Sequence, residues 1–146
     1  MSAAFKLQKV STKEIRLVVD LTKDVMGMNE VKVFKHLESR VTDERMLFLL
    51  AREAGGGRPM GIIECTQDDE ASLSGIKKRG VVRTLYVAPE FRRQGVAHSL
   101  LETASYWFKA AQVESVVVPL LDAETEPARG FLQKNGFSKG YEVYVK

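Results

Sequence analysis

The chain of 146 residues is 45% hydrophobic and 28% charged, which is ordinary for one soluble globular domain and argues against disorder. Its 22 basic and 19 acidic residues are scattered and give a net charge of +3, so the dense basic patch of a nucleic-acid reader is missing. Cys65 is the only cysteine, which excludes an internal disulfide and a cysteine metal cluster.

We therefore expect a single domain over residues 1–146, with no metal, no nucleic-acid partner and no membrane partner. The N-terminus lacks the apolar region of a secretory signal, and no apolar run approaches membrane-spanning length. The expected location is the cytoplasm.

A strand and two helices are predicted in the first part of the chain. Residues 4–10 alternate well enough for a strand. Ser11 and Glu14 have the spacing of a capping box, and apolar residues follow at helical intervals. A second helix is expected over residues 29–41, in which we interpret His36 as a surface or half-buried side chain.

A hairpin is predicted next. Residues 46–51 are continuously apolar, which is typical of a strand covered on both faces, and we expect this strand at the centre of the sheet. Turn-forming residues 54–59 lead to a strand over 60–67, where Gly61 indicates a twist or a close backbone contact. The polar segment 68–78 is predicted to be a mobile loop.

The sequence of residues 81–101 predicts a strand, a loop and a helix. β-branched and aromatic residues predict a strand over 81–87, which Ala88-Pro89 ends. A helix follows, because apolar residues recur at spacings of three and four. The residues of this stripe are Val96, Leu100, Ala104, Trp107, Phe108 and Ala111.

The start of this helix suits an anion. Its first N–H groups have no partner within the helix, and the positive end of the helix dipole lies there too. Gly95 and Ala97 keep the approach clear, while the guanidinium groups of Arg92 and Arg93 can each bind a phosphate through two donors. The sequence predicts a phosphate or pyrophosphate site. The alternative is a basic, solvated helix start whose glycine eases the turn.

The C-terminal part completes the sheet. Residues 113–121 predict a strand parallel to the one over 81–87, since a helix connects the two. Pro119 removes a ladder donor, so this strand should lack a hydrogen-bonded neighbour there. A short helix that ends at Asn135-Gly136 follows, and residues 141–145 predict a last strand.

Two blocks of the sequence resemble a known family. Arg92-Arg93-Gln94-Gly95-Val96-Ala97 fits the Gln/Arg-x-x-Gly-x-Gly/Ala signature of the GNAT superfamily of acyl-CoA-dependent N-acyltransferases. Leu85 to Phe91 looks like that family's strand and loop leading into the signature. Phe131 to Phe137 looks like its C-terminal helix ending in Gly-Phe.

The resemblance implies an α/β (α+β) fold. A mixed, mostly antiparallel sheet of six or seven strands would be flanked by about four helices, and two central parallel strands would splay apart. It also implies acetyl-CoA as acyl donor, with the pantetheine arm between those strands. The first two helices would border the acyl-acceptor site. A homodimer is possible, because edge strands of such a sheet invite pairing.

The family's pattern also implies the residues that bind acetyl-CoA. Leu85 and Val87 would pair with pantetheine like a strand, and the N–H of Val87 would meet the acyl carbonyl or the pantetheine amide. The pyrophosphate would lie mainly against backbone donors. The implied binding residues are Leu85, Tyr86, Val87, Arg92, Arg93, Gln94, Gly95, Val96, Ala97, His98 and Thr125.

Three departures from the family leave the catalytic residues unassigned. Leu132 stands where many members have a tyrosine that protonates the leaving thiolate. Thr125 replaces a frequent asparagine that contacts pantetheine, and Arg83 replaces a frequent acidic residue in the central strand. The usual proton donor and the simplest general base are therefore missing.

The groups that move protons stay open. The thiolate could be protonated by water or by a tyrosine, and the amine could lose its proton through a glutamate by way of water. The tyrosines are Tyr86, Tyr106, Tyr141 and Tyr144, and the glutamates are Glu64 and Glu90.

The favoured hypothesis is an N-acetyltransferase that moves an acetyl group from acetyl-CoA to a primary amine of a small molecule or a peptide. The alternative is an acyl-CoA-binding sensor or interaction module of the same fold without catalysis, which the residues at 83, 125 and 132 motivate. A third hypothesis places another phosphate-bearing ligand, such as a nucleotide, at the helix start.

Overall fold

The protein is described by a computed structural model for residues 5–22, 30–41, 43–55, 57–73, 75–113, 115–119, 131–139 and 143–145. The strands are β1 (Phe5–Lys9), β2 (Met46–Glu53), β3 (Pro59–Ser72), β4 (Gly75–Val87), β5 (Ser115–Pro119), β6 (Ser138–Lys139) and β7 (Val143–Val145). The helices are α1 (Ile15–Thr22), α2 (Glu30–Arg40) and α3 (Val96–Ala110), with a 3-10 turn at Pro89–Phe91. Residues 131–134 are also helical.

All the strands belong to one sheet, in the order β1-β2-β3-β4-β5-β7-β6. Neighbouring strands are antiparallel except β4 and β5, which run parallel and are connected through α3. The prediction of a mixed, mostly antiparallel α+β fold is confirmed.

Helices cover both faces of this sheet. On one face, α1 and α2 pack against Phe48, Leu50 and Ile62, and we call this the α1/α2 face. On the other, α3 packs against side chains that include Leu49 and Ile63, and we call this the α3 face. Neighbouring residues of β2 and β3 alternate between the two faces, as the strand period requires.

Strand β2 is buried on both faces, as its apolar sequence predicts, because Met46 to Ala51 are all buried. Its predicted central position is wrong. The strand is second from the edge, between β1 and β3, and the middle of the sheet is β4. Apolar runs report coverage of both faces, which a strand next to an edge can also have.

The prediction of a loop over 68–78 is wrong, because residues 68–72 and 75–78 form the outer half of the β3–β4 hairpin. The register continues from Gln67–Gly80 through Asp69–Lys78 to Ser72–Gly75. Acidic residues of β3 lie opposite basic residues of β4, which supports pairing across the ladder. The polarity of the segment reflects solvent exposure and not an irregular backbone.

The capping box before α1 is formed. The N–H of Ser11 donates to Glu14 Oε2 at 3.0 Å, and the Ser11 hydroxyl donates to the same carboxylate oxygen. The N–H of Lys13 donates to Ser11 Oγ at 3.3 Å. Residues 12–14 form turns, so regular helix starts at Ile15.

The C-terminal helix ends where the sequence predicts. Gly136 has a left-handed φ of 90°, and the N–H of Phe137 donates to the carbonyl of Leu132 at 3.0 Å. The last strand covers Val143–Val145, and the short β6 beside it was not predicted. Thr125 and Tyr141 lie outside the described residues.

Candidate functional site

A gap opens between the two parallel strands. Register pairs between β4 and β5 run from Arg79–Ser115 to Val81–Val117 and stop there, while β4 continues to Val87. Pro119 is paired with Val143 of β7, so the predicted lack of a neighbour applies only to the side that faces β4. Within the described part of the chain, residues 82–87 of β4 have no register partner in β5 and therefore border the gap.

The backbone of β4 directs hydrogen-bonding groups into this gap. The N–H of Ala88 donates to the carbonyl of Met60 at 2.9 Å, which makes these two residues a hydrogen-bonded pair. By alternation along the register, Val87 opposite Gly61 and Leu85 opposite Ile63 are non-hydrogen-bonded pairs. Their N–H and C=O groups point away from β3 and towards the gap.

A bulge interrupts β4 at the same level. Glu64 lies opposite Thr84 and Cys65 lies opposite Val82, so Arg83 is the extra residue. Arg83 Nε donates to Thr66 Oγ1 at 3.1 Å, and its Nη2 lies 3.2 Å from Asp68 Oδ2. Bulges often occur beside active sites, because they redirect side chains and end pairing.

The loop between β4 and α3 packs against the protein through Phe91. Phe91 is buried, and the guanidinium carbon of Arg58 lies 4.9 Å from the centre of its ring. Arg93 and Gly95 both have left-handed φ values, 64° and 83°. Successive N–H groups around such residues form a concave surface that can bind an anion.

The first turn of α3 is open to a ligand. Gly95 is the residue before the helix and makes no side-chain cap, and a Cβ built on it would meet nothing within 4 Å. The first N–H groups of the helix therefore combine with the dipole at an accessible surface. In the described part of the chain the buried Oε1 of Gln94 also has no hydrogen-bond partner. The arrangement fits a diphosphate with a polar group beside it.

The side chains of three predicted binding residues already make contacts within the protein. The side chain of Val96 is buried, and His98 Nδ1 lies 3.0 Å from Asn135 Oδ1. Arg92 Nε donates to the carbonyl of Val87 at 2.9 Å, with its guanidinium carbon 5.9 Å from the ring centre of Tyr86.

The predicted acetyl-CoA residues that the structure describes, all except Thr125, thus fall into two groups that meet at the end of β4. Residues 85–87 border the gap, and residues 92–98 form the loop and the first turn of α3. Their contacts with acetyl-CoA stay predictions.

A buried polar cluster lies on the α1/α2 face beside the gap. Glu64 is 4% exposed. Thr84 Oγ1 donates to its Oε1 at 3.2 Å, and His36 Nε2 lies 3.3 Å from its Oε2. We call Glu64, His36 and Thr84 the Glu64 cluster.

Sequence reasoning named Glu64 as a candidate but missed both partners. The prediction that His36 is a surface or half-buried side chain is confirmed, because that side chain is 30% exposed, but the prediction did not include its contact with Glu64 of β3. The available signal was a carboxylate inside an apolar strand, because such a group needs hydrogen-bond partners when it is buried.

Cys65 is buried beside this cluster on the opposite face of the sheet, within the core under α3. Burial, and secondarily the carboxylate of Glu64, raises the pKa of the Cys65 thiol far above its usual range. Cys65 therefore acts as a small buried residue of the core, and a thiolate nucleophile is disfavoured.

Two of the proton-donor candidates are described with side chains. Tyr106 is 65% exposed on α3, whereas Tyr86 is partly buried next to the gap. Leu132, which stands at the family's frequent tyrosine position, is buried and packs in the core under α3. Leu132 therefore contributes to the packing of the core at this position.

Two negative findings apply to the described part of the chain. No group of three or more His, Cys, Asp or Glu side chains is placed to hold a metal ion. None of the helices there has both the length and the apolar character needed to cross a membrane.

Solved structures with this architecture come from several organisms. An aminoglycoside 6′-N-acetyltransferase from Acinetobacter baumannii superposes with a TM-score of 0.81 and 16% identity over 94% of this chain and 93% of its own. A predicted acetyltransferase from Clostridium acetobutylicum with acetyl-CoA gives 0.76 and 16% identity over 95% and 93%. A glucosamine-6-phosphate N-acetyltransferase from Arabidopsis thaliana gives 0.78 and 15% over 94% of each.

At these identities the structural likeness establishes the fold alone. A search of curated proteins finds no match. The family model described as acetyltransferase (GNAT) family matches residues 16–137, which is most of the chain. This chain therefore belongs to the GNAT acetyltransferase family.

Proposed function

We propose that this protein is an acetyl-CoA-dependent N-acetyltransferase that acts on a primary amine of a small molecule or a peptide. The observation that carries the proposal is the alignment of two binding surfaces. The N–H groups of Leu85 and Val87 point into the gap, and the open first turn of α3 follows within the same loop. A ligand with a diphosphate at one end and an amide-containing arm at the other can satisfy both surfaces.

The chemistry required is modest once the thioester is held. Positioning an amine against a fixed carbonyl removes most of the entropic barrier to a bimolecular step. A backbone N–H directed at the carbonyl oxygen can stabilise the developing charge by about 3 kcal/mol. The N–H groups that face the gap are placed for this role.

The solved relatives suggest which amines to test first. Two of them carry names that specify aminoglycosides and glucosamine 6-phosphate, which are both amino sugars. We propose amino sugars as the first class of acceptor, with peptides second.

The test is release of free CoA thiol from acetyl-CoA in the presence of kanamycin, glucosamine 6-phosphate, glucosamine, spermidine and a lysine peptide. We expect turnover with at least one amine, well above the hydrolysis rate without an acceptor. Mass spectrometry should then show an added acetyl group on the amine. If CoA binds but no amine accelerates thiol release, the catalytic proposal fails.

One observation favours a second candidate, an acyl-CoA-binding module without catalysis. Leu132 is buried at the position where many family members have a proton-donating tyrosine. Calorimetric binding of acetyl-CoA without turnover would support this candidate. A nucleotide that competes and binds far more tightly than CoA would contradict both.

A further inference from the structure

We infer that Glu64 accepts the proton that the acceptor's ammonium group must lose, and that His36 and Thr84 hold its carboxylate in place for this step. This inference rests on the proposed acetyl transfer. It assigns the general base that the departures from the family pattern left open.

Packing alone gives no reason for this carboxylate. Among the described residues, Glu64 is the one charged residue in the buried set, whose other polar members are Thr22 and Thr66. A buried carboxylate is costly even when it is hydrogen-bonded, and an apolar replacement is often neutral or stabilising. The cluster is therefore better explained by chemistry than by stability.

The location of the cluster relative to the gap supports this assignment. Thr84, directly opposite Glu64, immediately precedes Leu85, whose N–H points into the gap. On the α3 face, the strands beside the gap carry side chains such as Leu85 and Val118 that pack into the apolar core with α3. An amine must then approach from the α1/α2 face, which carries Glu64.

The cluster is arranged to receive one more proton. A carboxylate has about four acceptor positions. Thr84 uses one on Oε1 at 3.2 Å and His36 uses one on Oε2 at 3.3 Å, so positions remain for an ammonium group or a bridging water. The side chain of His36 is 30% exposed, which connects the buried carboxylate to solvent.

With Glu64 as the base, the protons and electrons of the acetyl transfer are balanced. The ammonium group gives one proton to the Glu64 carboxylate and becomes a nucleophilic amine. The amine nitrogen forms a bond to the thioester carbonyl carbon, and the carbon–sulfur bond breaks with its electron pair on sulfur. The proton that the nitrogen sheds after attack neutralises the thiolate, directly or through water, so no tyrosine is needed where Leu132 stands. The proton on Glu64 leaves to water at the acceptor positions that Thr84 and His36 do not use.

Other charged and polar groups lie around the Glu64 carboxylate, and their ionisation can contribute to the pH dependence of kcat. On the same face, β4 contributes Arg83 and Tyr86, and β3 contributes Asp68. Among the described side chains of α2, His36 faces Glu64, while β2 places the apolar Phe48 opposite it. Of the acids in this set, Asp68 is paired with Arg83, whereas Glu64 faces the imidazole and the hydroxyl.

The decisive experiment compares wild type with Glu64→Gln, using acetyl-CoA and the best amine of the panel between pH 6.5 and 9.5. At pH 7 we expect kcat to fall about 100-fold or more, the range for loss of a general base. The deficit should shrink as pH rises, because more of the acceptor is already the free amine. The affinity for CoA, measured by calorimetry, should be unchanged.

Matched variants separate a proton acceptor from a structural residue. Glu38→Gln removes an exposed carboxylate from the same helix as His36 and should leave kcat and its pH profile unchanged. Thr84→Val should lower kcat several-fold, whereas Thr84→Ser, which keeps the hydroxyl, should restore it. These variants also test the cluster if Glu64→Gln does not fold.

The outcomes of these experiments distinguish failure of the Glu64 assignment from failure of the proposed acetyltransferase function. If wild type transfers no acetyl group to any amine, the proposed function fails and takes this inference with it. If wild type is active and Glu64→Gln stays within about threefold of it at pH 7, only the inference is overturned. A deficit that does not change with pH, or one that appears in Glu90→Gln instead, overturns it as well.

Discussion

The ring of Phe108 on α3 lies directly over Gly80 of β4. A Cβ built on Gly80 would be 2.5 Å from Cε1 of that ring and 2.7 Å from Cδ1. Gly80 is paired with Val116 of β5, so this contact holds α3 against the part of the sheet where the two parallel strands are still joined. The gap beside residues 82–87 begins just beyond it.

Gly80→Ala should therefore destabilise the protein. The methyl group would need space that Phe108 occupies, and overpacking of this kind costs about 1–3 kcal/mol. Urea unfolding should show a lower midpoint with a similar slope.

The double variant Gly80→Ala with Phe108→Leu is the control for this contact. If the clash is the cause, the second substitution should recover part of the loss, as a double-mutant cycle would show. An alanine that leaves the midpoint unchanged would mean that the ring can move aside and that the contact does not fix the position of α3.

Gly95→Asn should weaken CoA binding by about tenfold or more while leaving the fold intact. The residue has φ of 83° and open space where a Cβ would lie, so asparagine can adopt the conformation but would place a side chain over the first N–H groups of α3. Isothermal titration with CoA measures the effect.

Gly55→Asn is the matched control, because Gly55 also has a left-handed φ of 85° and open space, in the turn between β2 and β3. Both variants should lose similar, small amounts of stability, and only the change at Gly95 should alter CoA affinity. Equal affinity in both would place the diphosphate away from this helix start.

Cys65 should make stability fall at high pH. In the unfolded chain the thiol ionises near its ordinary pKa of 9.0, whereas burial keeps it protonated in the native state. The unfolded state thus loses a proton first, so the contribution is complete below pH 9 and decreases above it. The slope approaches about 1.4 kcal/mol per pH unit.

Cys65→Ala isolates this effect, because other groups that titrate in the same range are common to both proteins. The variant should lose some stability at pH 7 through the smaller side chain, yet its free energy of unfolding should decline less steeply between pH 9 and 10.5. Identical slopes would show that the native thiol ionises as readily as the unfolded one.

Local sequence signals predicted most elements of this fold. The apolar stripe that begins at Val96 predicted α3, and the turn-forming residues 54–59 predicted the β2–β3 hairpin. The outer β3–β4 hairpin was missed because residues 68–78 are polar on both strands, and their pairing depends on cross-strand partners that periodicity does not contain. Local hydropathy therefore indicates whether a strand is buried or exposed. It is less able to indicate whether an exposed segment is a strand or a loop.

The candidate site was predictable only where it depends on the backbone of one segment. The loop of residues 92–97 is continuous in sequence, so its glycine and arginines could be interpreted together. The Glu64 cluster joins α2, β3 and β4, and its members are separated by 28 and 20 positions. Nothing in the sequence alone indicates that His36 and Thr84 meet at one carboxylate.

The Ser11–Glu14 capping box should stabilise the protein in a pH-dependent way. Hydrogen bonds from the Ser11 hydroxyl, and to a lesser extent from backbone N–H groups, lower the pKa of Glu14 below its ordinary value of 4.5. A carboxyl group with a lowered native pKa contributes stability above its unfolded value, and this contribution is lost as pH falls through the native value. Acidification below pH 4.5 should therefore weaken the start of α1.

Ser11→Ala tests this contribution. At pH 7 it should cost about 0.5–2 kcal/mol, the usual range for a lost N-terminal cap. The difference from wild type, measured by urea unfolding from pH 7 down to pH 3, should shrink as Glu14 becomes protonated in both proteins. The neighbouring Thr12→Ala, which changes an exposed residue and keeps both capping side chains, is the control. A difference that stays constant with pH would assign the effect to the hydroxyl's bond with the Lys13 N–H and not to the Glu14 carboxylate.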